Sequence, residues 1–307
     1  MRQAASAILM IRPAAFGFNA ETAINNTFQS VIEDIDALQV QKKAQKEFDG
    51  FIATLSANDI EVLVVEDTPN PIKPDAVFPN NWFCTLPDGK IAVFPMFAPN
   101  RRIEKRDDIL KRLARIYNVA DVEDWSEYEA EGFFLEGTGS MIIDHENKII
   151  YACLSPRTHK NILESFANAH HYKTVCFHSF DEQAVPVYHT NVIMHIGESY
   201  AVICLDSIRN ELERIDVSQS LIATGHEIIP ITQKQVLHFA GNMLQVKNRK
   251  GALYTVMSQS AYNSLNKKQK DAMSIHSHLL PVDIKTIETI GGGSARCMMA
   301  EIFLEKK

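Results

Sequence analysis

Residues 81–96 read NWFCTLPDGKIAVFPM, two runs of aromatic, apolar and β-branched residues joined by Pro87-Asp88-Gly89-Lys90. That pattern specifies a β-hairpin, since proline presets one backbone angle of the turn and glycine supplies the other at no steric cost. The arrangement returns as SMIIDHENKIIYACL at 140–154, NVIMHIGESYAVICL at 191–205 and MLQVKNRKGALYTVM at 243–257. The turns centre near residues 88, 146, 198 and 249. A spacing of about 50 to 60 residues marks a repeated supersecondary unit.

Between the hairpins, helical patterns at 101–117, 158–169 and 208–225 stand beside strand-like runs at 61–67, 172–177 and 226–231. The chain therefore reads as an α/β ring of ββαβ modules, not as a Rossmann array. The run CMMAEIFL at 297–304 lacks a following partner and ASAILMIR at 5–12 lacks a preceding one, so the termini are expected to pair and close a fifth module within one domain, 1–307.

The 307 residues are 46% apolar, enough for a full core, and carry a net charge of -7 without a basic tract. This excludes an electrostatic footprint for nucleic acid or an anionic membrane and favours a small-molecule substrate. No apolar run reaches membrane-span length, and the opening MRQAASAILMIRPAAFG breaks at Arg12-Pro13, which points to a cytoplasmic protein. A homo-oligomer stays open. The five cysteines are odd in number and form no C-x-x-C pair, against a disulfide framework or closed zinc site. Cys84, Cys153, Cys176 and Cys204 lie in apolar runs as core thiols. Cys297 differs, following Gly291-Gly292-Gly293-Ser294-Ala295-Arg296 at a loop-to-strand junction.

The chemistry-bearing residues fall just before the first strand of each module, in PDAVFPNN, FFLEGTG, VPVYHTN, HFAGN and GGGSARC. Related by rotation, these junctions would bring Asp75, Asn80, Asn81, Glu136, His189, Asn191, Asn242 and Cys297 to one central pocket. A thiol attacks only as thiolate, which an adjacent histidine can generate, so Cys297 and His189 form a candidate pair. Either Glu136 or Asp75 could hold His189. Arg157, in SPRT, is placed to grip a substrate carboxylate. Amides both donate and accept, so Asn80-Asn81 suit a neutral urea better than a guanidinium.

With RPAAFGFN, PDAVFPNNWF, LEGTGS, SPRT, YHTNVIM, FAGNML and GGGSARCMMAEIF, the chain resembles the pentein, or amidinotransferase-like, superfamily of guanidine-modifying enzymes, most closely its citrulline hydrolases. The resemblance implies a fivefold pseudosymmetric α/β propeller, Cys297 as nucleophile, His189 as general acid and base, and Glu136 as its carboxylate partner. Asp75 matches a pocket-lining acid, and Arg157 an arginine at the amino-acid end of the substrate. Asn80-Asn81 and Asn191 stand where deiminases carry acidic residues, which removes negative charge. The implied reaction converts citrulline to ornithine, ammonia and carbon dioxide without metal or organic cofactor, the oxyanion being held by loop N–H groups of GGGSARC. An arginine deiminase or amidinotransferase activity is the alternative, and a non-catalytic binding propeller a distant one. GTGSM is too short for a dinucleotide fingerprint, GGGSARC lacks the G-K-[ST] of a P-loop, and His170-His171 and His276/His278 read as surface residues.

Overall fold

Five three-stranded sheets organise the chain, in a computed structural model that describes residues 3–31 and 36–307. The single-domain expectation over 1–307 includes residues 1–2 and 32–35, which lie outside the described residues. In chain order the strands are β1 Ala7–Arg12, β2 Glu61–Glu66, β3 Phe83–Thr85, β4 Lys90–Val93, β5 Asp121–Asp124, β6 Ile142–Asp144, β7 Ile149–Cys153 and β8 Lys173–Phe177. They continue as β9 Met194–Ile196, β10 Tyr200–Ile203, β11 Glu227–Pro230, β12 Leu244–Lys247, β13 Leu253–Ser258, β14 His278–Val282 and β15 Ala300–Ile302.

Each of the four hairpins read from the sequence is an antiparallel pair whose second strand is joined by a parallel third: β3-β4-β5, β6-β7-β8, β9-β10-β11 and β12-β13-β14. In the fifth sheet β15 pairs antiparallel with β1, placing Ala7 opposite Ile302 and Leu9 opposite Ala300, while β2 runs parallel to β1. A parallel step cannot be made by a tight turn and needs a crossover. Helices supply it in every module: Ala37–Ala57, Asp107–Ile116, Lys160–Ala169, Glu211–Ala223 and Lys267–His276. Hairpin strands such as β6, β9 and β10 are buried along their length, which is why they read as continuous apolar runs rather than alternating ones.

Two elements differ from the sequence reading. The helix expected over 101–117 is broken into Pro99–Arg102 and Asp107–Ile116, and the Arg101 guanidinium turns inward to grip Glu104 through both carboxylate oxygens. The 21-residue helix Ala37–Ala57 was not anticipated, although Val40, Ala44, Phe48, Phe51 and Leu55 form a regular buried stripe along it. Asp36 caps its start by accepting the N–H of Gln39. Among the described residues no helix is long and apolar enough to cross a membrane.

His170 also departs from its surface reading. It is buried, with Nε2 2.9 Å from Glu123. Cys84, Cys153 and Cys204 are buried as read, while Cys176 is half-buried; burial raises Cys84, Cys176 and Cys204 and pushes Cys153 up to about 12.

Phe48 lies fully buried in the cluster that joins the Ala37–Ala57 helix to β1 and β13. Phe48→Ala should destabilise the protein by about 3–5 kcal/mol, the usual range for a truncated core aromatic. Urea denaturation checks this as a lower transition midpoint.

Candidate active site

Four of the five junctions fold as single helical turns, at Pro79–Asn81, Gly137–Ser140, Thr190–Val192 and Ala295–Met298. Such close packing restricts the backbone. Gly137 has φ +47°, and a Cβ there would fall 2.3 Å from the Asn80 carbonyl oxygen. At Gly139 a Cβ would meet Asn81 Nδ2 at 2.5 Å and the His189 ring at 2.8 Å. The glycines of LEGTG therefore allow one turn to lie against its two neighbours.

A pocket with about 260 Å3 of empty space, open solvent included, forms where the turns meet, lined by Asp75, Asn81, Arg101, Arg157, His189 and Cys297, with Thr22, Asn26, Phe78, Tyr188 and Gly291–Gly293 completing its wall. A separate pocket with about 560 Å3 of empty space on the same measure, beside Phe28, Phe180 and Val236, has no cysteine, histidine or arginine in its wall. The reactive groups thus belong to the smaller one.

Glu136, rather than Asp75, holds the imidazole: His189 Nε2 lies 2.8 Å from Glu136 Oε2. Glu136 also accepts the N–H of Phe97 at 3.0 Å and stands 3.4 Å from Arg157 Nη1. Burial alone would raise the Glu136 pKa, but Arg157, His189 and Arg101 outweigh it and keep the carboxyl far below its usual range. A carboxylate accepts only, so His189 donates from Nε2 and leaves the Nδ1 lone pair free, with no protein partner among the described residues. Burial, with help from Arg157 and Arg101, depresses His189 to about 4 despite Glu136. At neutral pH the ring is an uncharged base.

Asp75 sits elsewhere in the network. Its Oδ2 accepts from Asn19 Nδ2 at 2.7 Å and Thr22 Oγ1 at 3.2 Å, Arg101 Nε lies 3.7 Å away, and its Oδ1 has no partner. Burial raises its pKa, with Arg101 opposing.

Arg157, expected to grip a substrate carboxylate, lines the cavity with its guanidinium engaged by protein groups. Its guanidinium donates to Thr22 O at 2.9 Å and to Asn25 Oδ1, faces Glu136, and lies 4.9 Å over the Tyr188 ring. It ties the 19–30 segment to the site. Asn26, Gln29 and Ser30 fasten the same segment to the carbonyls of Gly292, Gly291 and Thr289.

Asn80 does not line the cavity, because its amide donates to Thr138 Oγ1 at 3.2 Å. Asn191 and Asn242 do not line it either. Their Nδ2 groups point at Cys297 Sγ, at 3.4 and 3.3 Å. The loop expected to hold an oxyanion has three of its N–H groups occupied: Gly292 by Glu288 O, Arg296 by Asn242 Oδ1 and Cys297 by Ser294 O. Sequence reasoning missed Asn19, Thr22, Asn26, Arg101 and Tyr188. Arg101 was absorbed into a helix pattern, while the AETAINN stretch fits no strand or hairpin period. Among the described residues no group of three or more His, Cys, Asp or Glu side chains could hold a metal ion.

A family model described as N,N dimethylarginine dimethylhydrolase, eukaryotic, matches residues 12–304. The chain belongs to that family. Membership places it among the guanidine-modifying hydrolases that cleave non-peptide C–N bonds. No curated protein matches the sequence. Among solved structures, apo ArgZ, an arginine dihydrolase from the ornithine-ammonia cycle in cyanobacteria, superposes with TM-score 0.75 at 15% identity over 97% of this chain, which spans 40% of the ArgZ length. The substrate-bound N-terminal domain of ArgZ gives TM-score 0.75 and 15% identity, covering 97% of this chain and 98% of that one. A dimethylarginine dimethylaminohydrolase adduct with S-methyl-L-thiocitrulline gives 0.66 at 15% identity, covering 97% and 100%. At such identities the likeness is one of fold, and the fold is the five-sheet pentein architecture.

The His189 environment has a consequence for stability. Between the unfolded value of 6.5 and the folded value of about 4, the unfolded chain binds a proton that the native state refuses. The contribution is whole above pH 6.5 and is lost as pH falls toward 4; His145 and His195, held near 3 chiefly by burial, act with the same sign. His189→Asn should therefore lose less stability than wild type over that window, checked by urea midpoints measured at pH 7, 5.5 and 4.5.

Proposed function

We propose that the protein hydrolyses citrulline to ornithine, ammonia and carbon dioxide through a covalent Cys297 intermediate. The observation that carries this reading is the orientation of Asn81. Arg101 Nη1 lies 2.8 Å from Asn81 Oδ1, and a guanidinium can only donate, so the amide cannot be flipped and Nδ2 remains an unpartnered buried donor beside the cavity. Asp75, in the wall of the same cavity, has an unpartnered oxygen, Oδ1, that accepts when the carboxyl is ionised. One donor and one acceptor complement a ureido group, which carries a C=O and N–H groups together. A guanidinium has donors only and would leave Asn81 Nδ2 facing another N–H, a mismatch of buried polar groups worth about 1–3 kcal/mol.

Charge supports the same choice. Glu104 is held by Arg101 through both oxygens, and Glu136 by Arg157 and His189, so these carboxylates already have resident cations or donors. Glu104 is further pushed up to about 7, first by burial. Asp75 alone offers a free carboxylate oxygen.

In the proposed reaction the Cys297 thiol passes its proton to His189 Nδ1 while sulfur attacks the ureido carbon. Asn81 Nδ2 donates to the oxygen as it gains negative charge, the role of an oxyanion donor. The tetrahedral adduct collapses with cleavage of a C–N bond, and His189 returns the proton to the departing nitrogen. Water, deprotonated by His189 Nδ1, attacks the S-linked carbonyl carbon; sulfur leaves, and the resulting carbamate breaks down to an amine and carbon dioxide. Glu136 keeps the ring oriented and stabilises its transient positive charge.

Release of ammonia and ornithine from citrulline and from arginine, with wild type and Cys297→Ala in parallel, tests the reading. Turnover of citrulline that disappears in Cys297→Ala is expected; turnover of arginine or a methylated arginine with none of citrulline would overturn it. Asn81→Asp replaces the fixed donor with a carboxylate beside Arg101. It should reduce citrulline kcat/KM by roughly 10–100-fold, the loss expected when one buried donor is removed, measured by steady-state ornithine release.

A further inference from the structure

We infer that Asn191 and Asn242 are positioning residues for the nucleophile: their side-chain amides clamp Cys297 Sγ and stabilise it as a thiolate, rather than contact the substrate. The inference rests on Cys297 being the nucleophile and adds how its charge is supported.

Asn191 Nδ2 and Asn242 Nδ2 approach Sγ at 3.4 and 3.3 Å, and both side chains are fully buried. Among the described residues these amides are the only hydrogen-bond donors to the sulfur. Asn242 cannot reorient. Its Oδ1 accepts the N–H of Arg296 at 3.0 Å and lies 3.8 Å from Sγ, where it accepts from the neutral thiol, and its Nδ2 also donates to the Asn191 carbonyl at 2.9 Å. The donor is thus locked by the residue preceding the nucleophile in sequence. Asn191 is held less firmly: its Oδ1 has no partner, and the sulfur is its one side-chain hydrogen-bond partner.

A neutral thiol is a poor acceptor, whereas a thiolate accepts readily, so two converging N–H groups favour the charged form. The surroundings make them necessary. The titratable and charged groups that share the cavity with the thiol are Asp75, Arg101, Arg157, Tyr188 and His189. Both arginines are engaged by Glu104, Asn81, Glu136 and Asn25, and the guanidinium of the adjacent Arg296 is turned away to Glu301 and the Met299 carbonyl. His189 is a neutral ring tied to Glu136. Among the described residues no cation is therefore free to face the sulfur, and the two amides take that place.

The geometry also explains why these residues occupy such positions. Asn191, Asn242 and Cys297 stand two or three residues before β9, β12 and β15, the same slot in three modules. Pseudosymmetry carries two amides and a thiol to one point.

The test reads the sulfur without substrate. The pH dependence of Cys297 alkylation by iodoacetamide is followed by peptide mapping in wild type, Asn191→Leu and Asn191→Asp. Asn191→Leu removes the donor at similar size and disturbs no other hydrogen bond of that side chain; its midpoint should rise by roughly one pH unit, the effect of a lost hydrogen bond to a charged group. Asn191→Asp, which adds a negative charge beside sulfur, should rise further. At pH well above the midpoints the three alkylation rates should converge, a result that simple loosening of the fold would not produce. An unchanged midpoint in Asn191→Leu, or a raised citrulline KM with no change in midpoint, overturns the inference and returns Asn191 to substrate contact. Because alkylation needs no substrate, failure of the citrulline assignment leaves this result standing, and the converse also holds.

Discussion

Two guanidinium groups, Arg101 and Arg157, lie only 2% exposed beside the cavity, and the arrangement around them depends on compensating their charge. An isolated cation at such a depth would lose several kcal/mol of hydration. Glu104 chelates Arg101, Glu136 faces Arg157, and Asp75 stands near Arg101. Each of these pairings then decides a functional group. Arg101 sets the Asn81 amide, Glu136 sets the tautomer of His189, and Arg157 binds Asn25 and the Thr22 carbonyl, so the 19–30 segment closes over the site. The ion pairs thereby act through orientation more than through stability, consistent with the modest net gain from burying such pairs.

The ring architecture supplies the complementary constraint. Every module turns into its hairpin through a short, tightly packed segment, and the five segments meet because the modules repeat about one centre. A helical turn of three or four residues leaves its side chains free to point inward, while β3, β6, β9, β12 and β15 anchor the chain on its C-terminal side. That is why residues separated by more than 200 positions, from Asp75 to Cys297, line one cavity. Glycine at 137 and 139 then permits van der Waals approach between neighbouring turns, and any side chain at those positions would displace Asn81 or His189.

Much of this was legible in the sequence. The hairpin turns at Asp88-Gly89, Asn147-Lys148, Glu198-Ser199 and Lys250-Gly251, and the apolar runs beside them, announced the modules and their spacing. Cys297, His189 and Glu136 could be placed together because each lies in the junction that precedes the first strand of a module. The Ala37–Ala57 helix carried a clear apolar stripe that the hairpin pattern drew attention away from. Arg101 was illegible for a different reason: RRIEKRDDILKRLARIY satisfies helix propensity throughout, and nothing local marks the inward turn of Arg101 onto buried Glu104.

What the sequence determined by itself was periodic or local: the ββαβ repeat, the pairing potential of the terminal runs, and the residue types available at each junction. Those properties depend on side-chain alternation and turn chemistry within a few residues of one another. What only the tertiary structure decided was direction. Whether Glu136 or Asp75 reaches His189, whether Arg157 is free or engaged, and whether Asn191 and Asn242 face the cavity or the sulfur all turn on differences of a few ångströms between elements distant in the chain. Hydrogen bonds lose their strength over about that distance, so composition at a junction names the candidate groups and packing assigns them their partners.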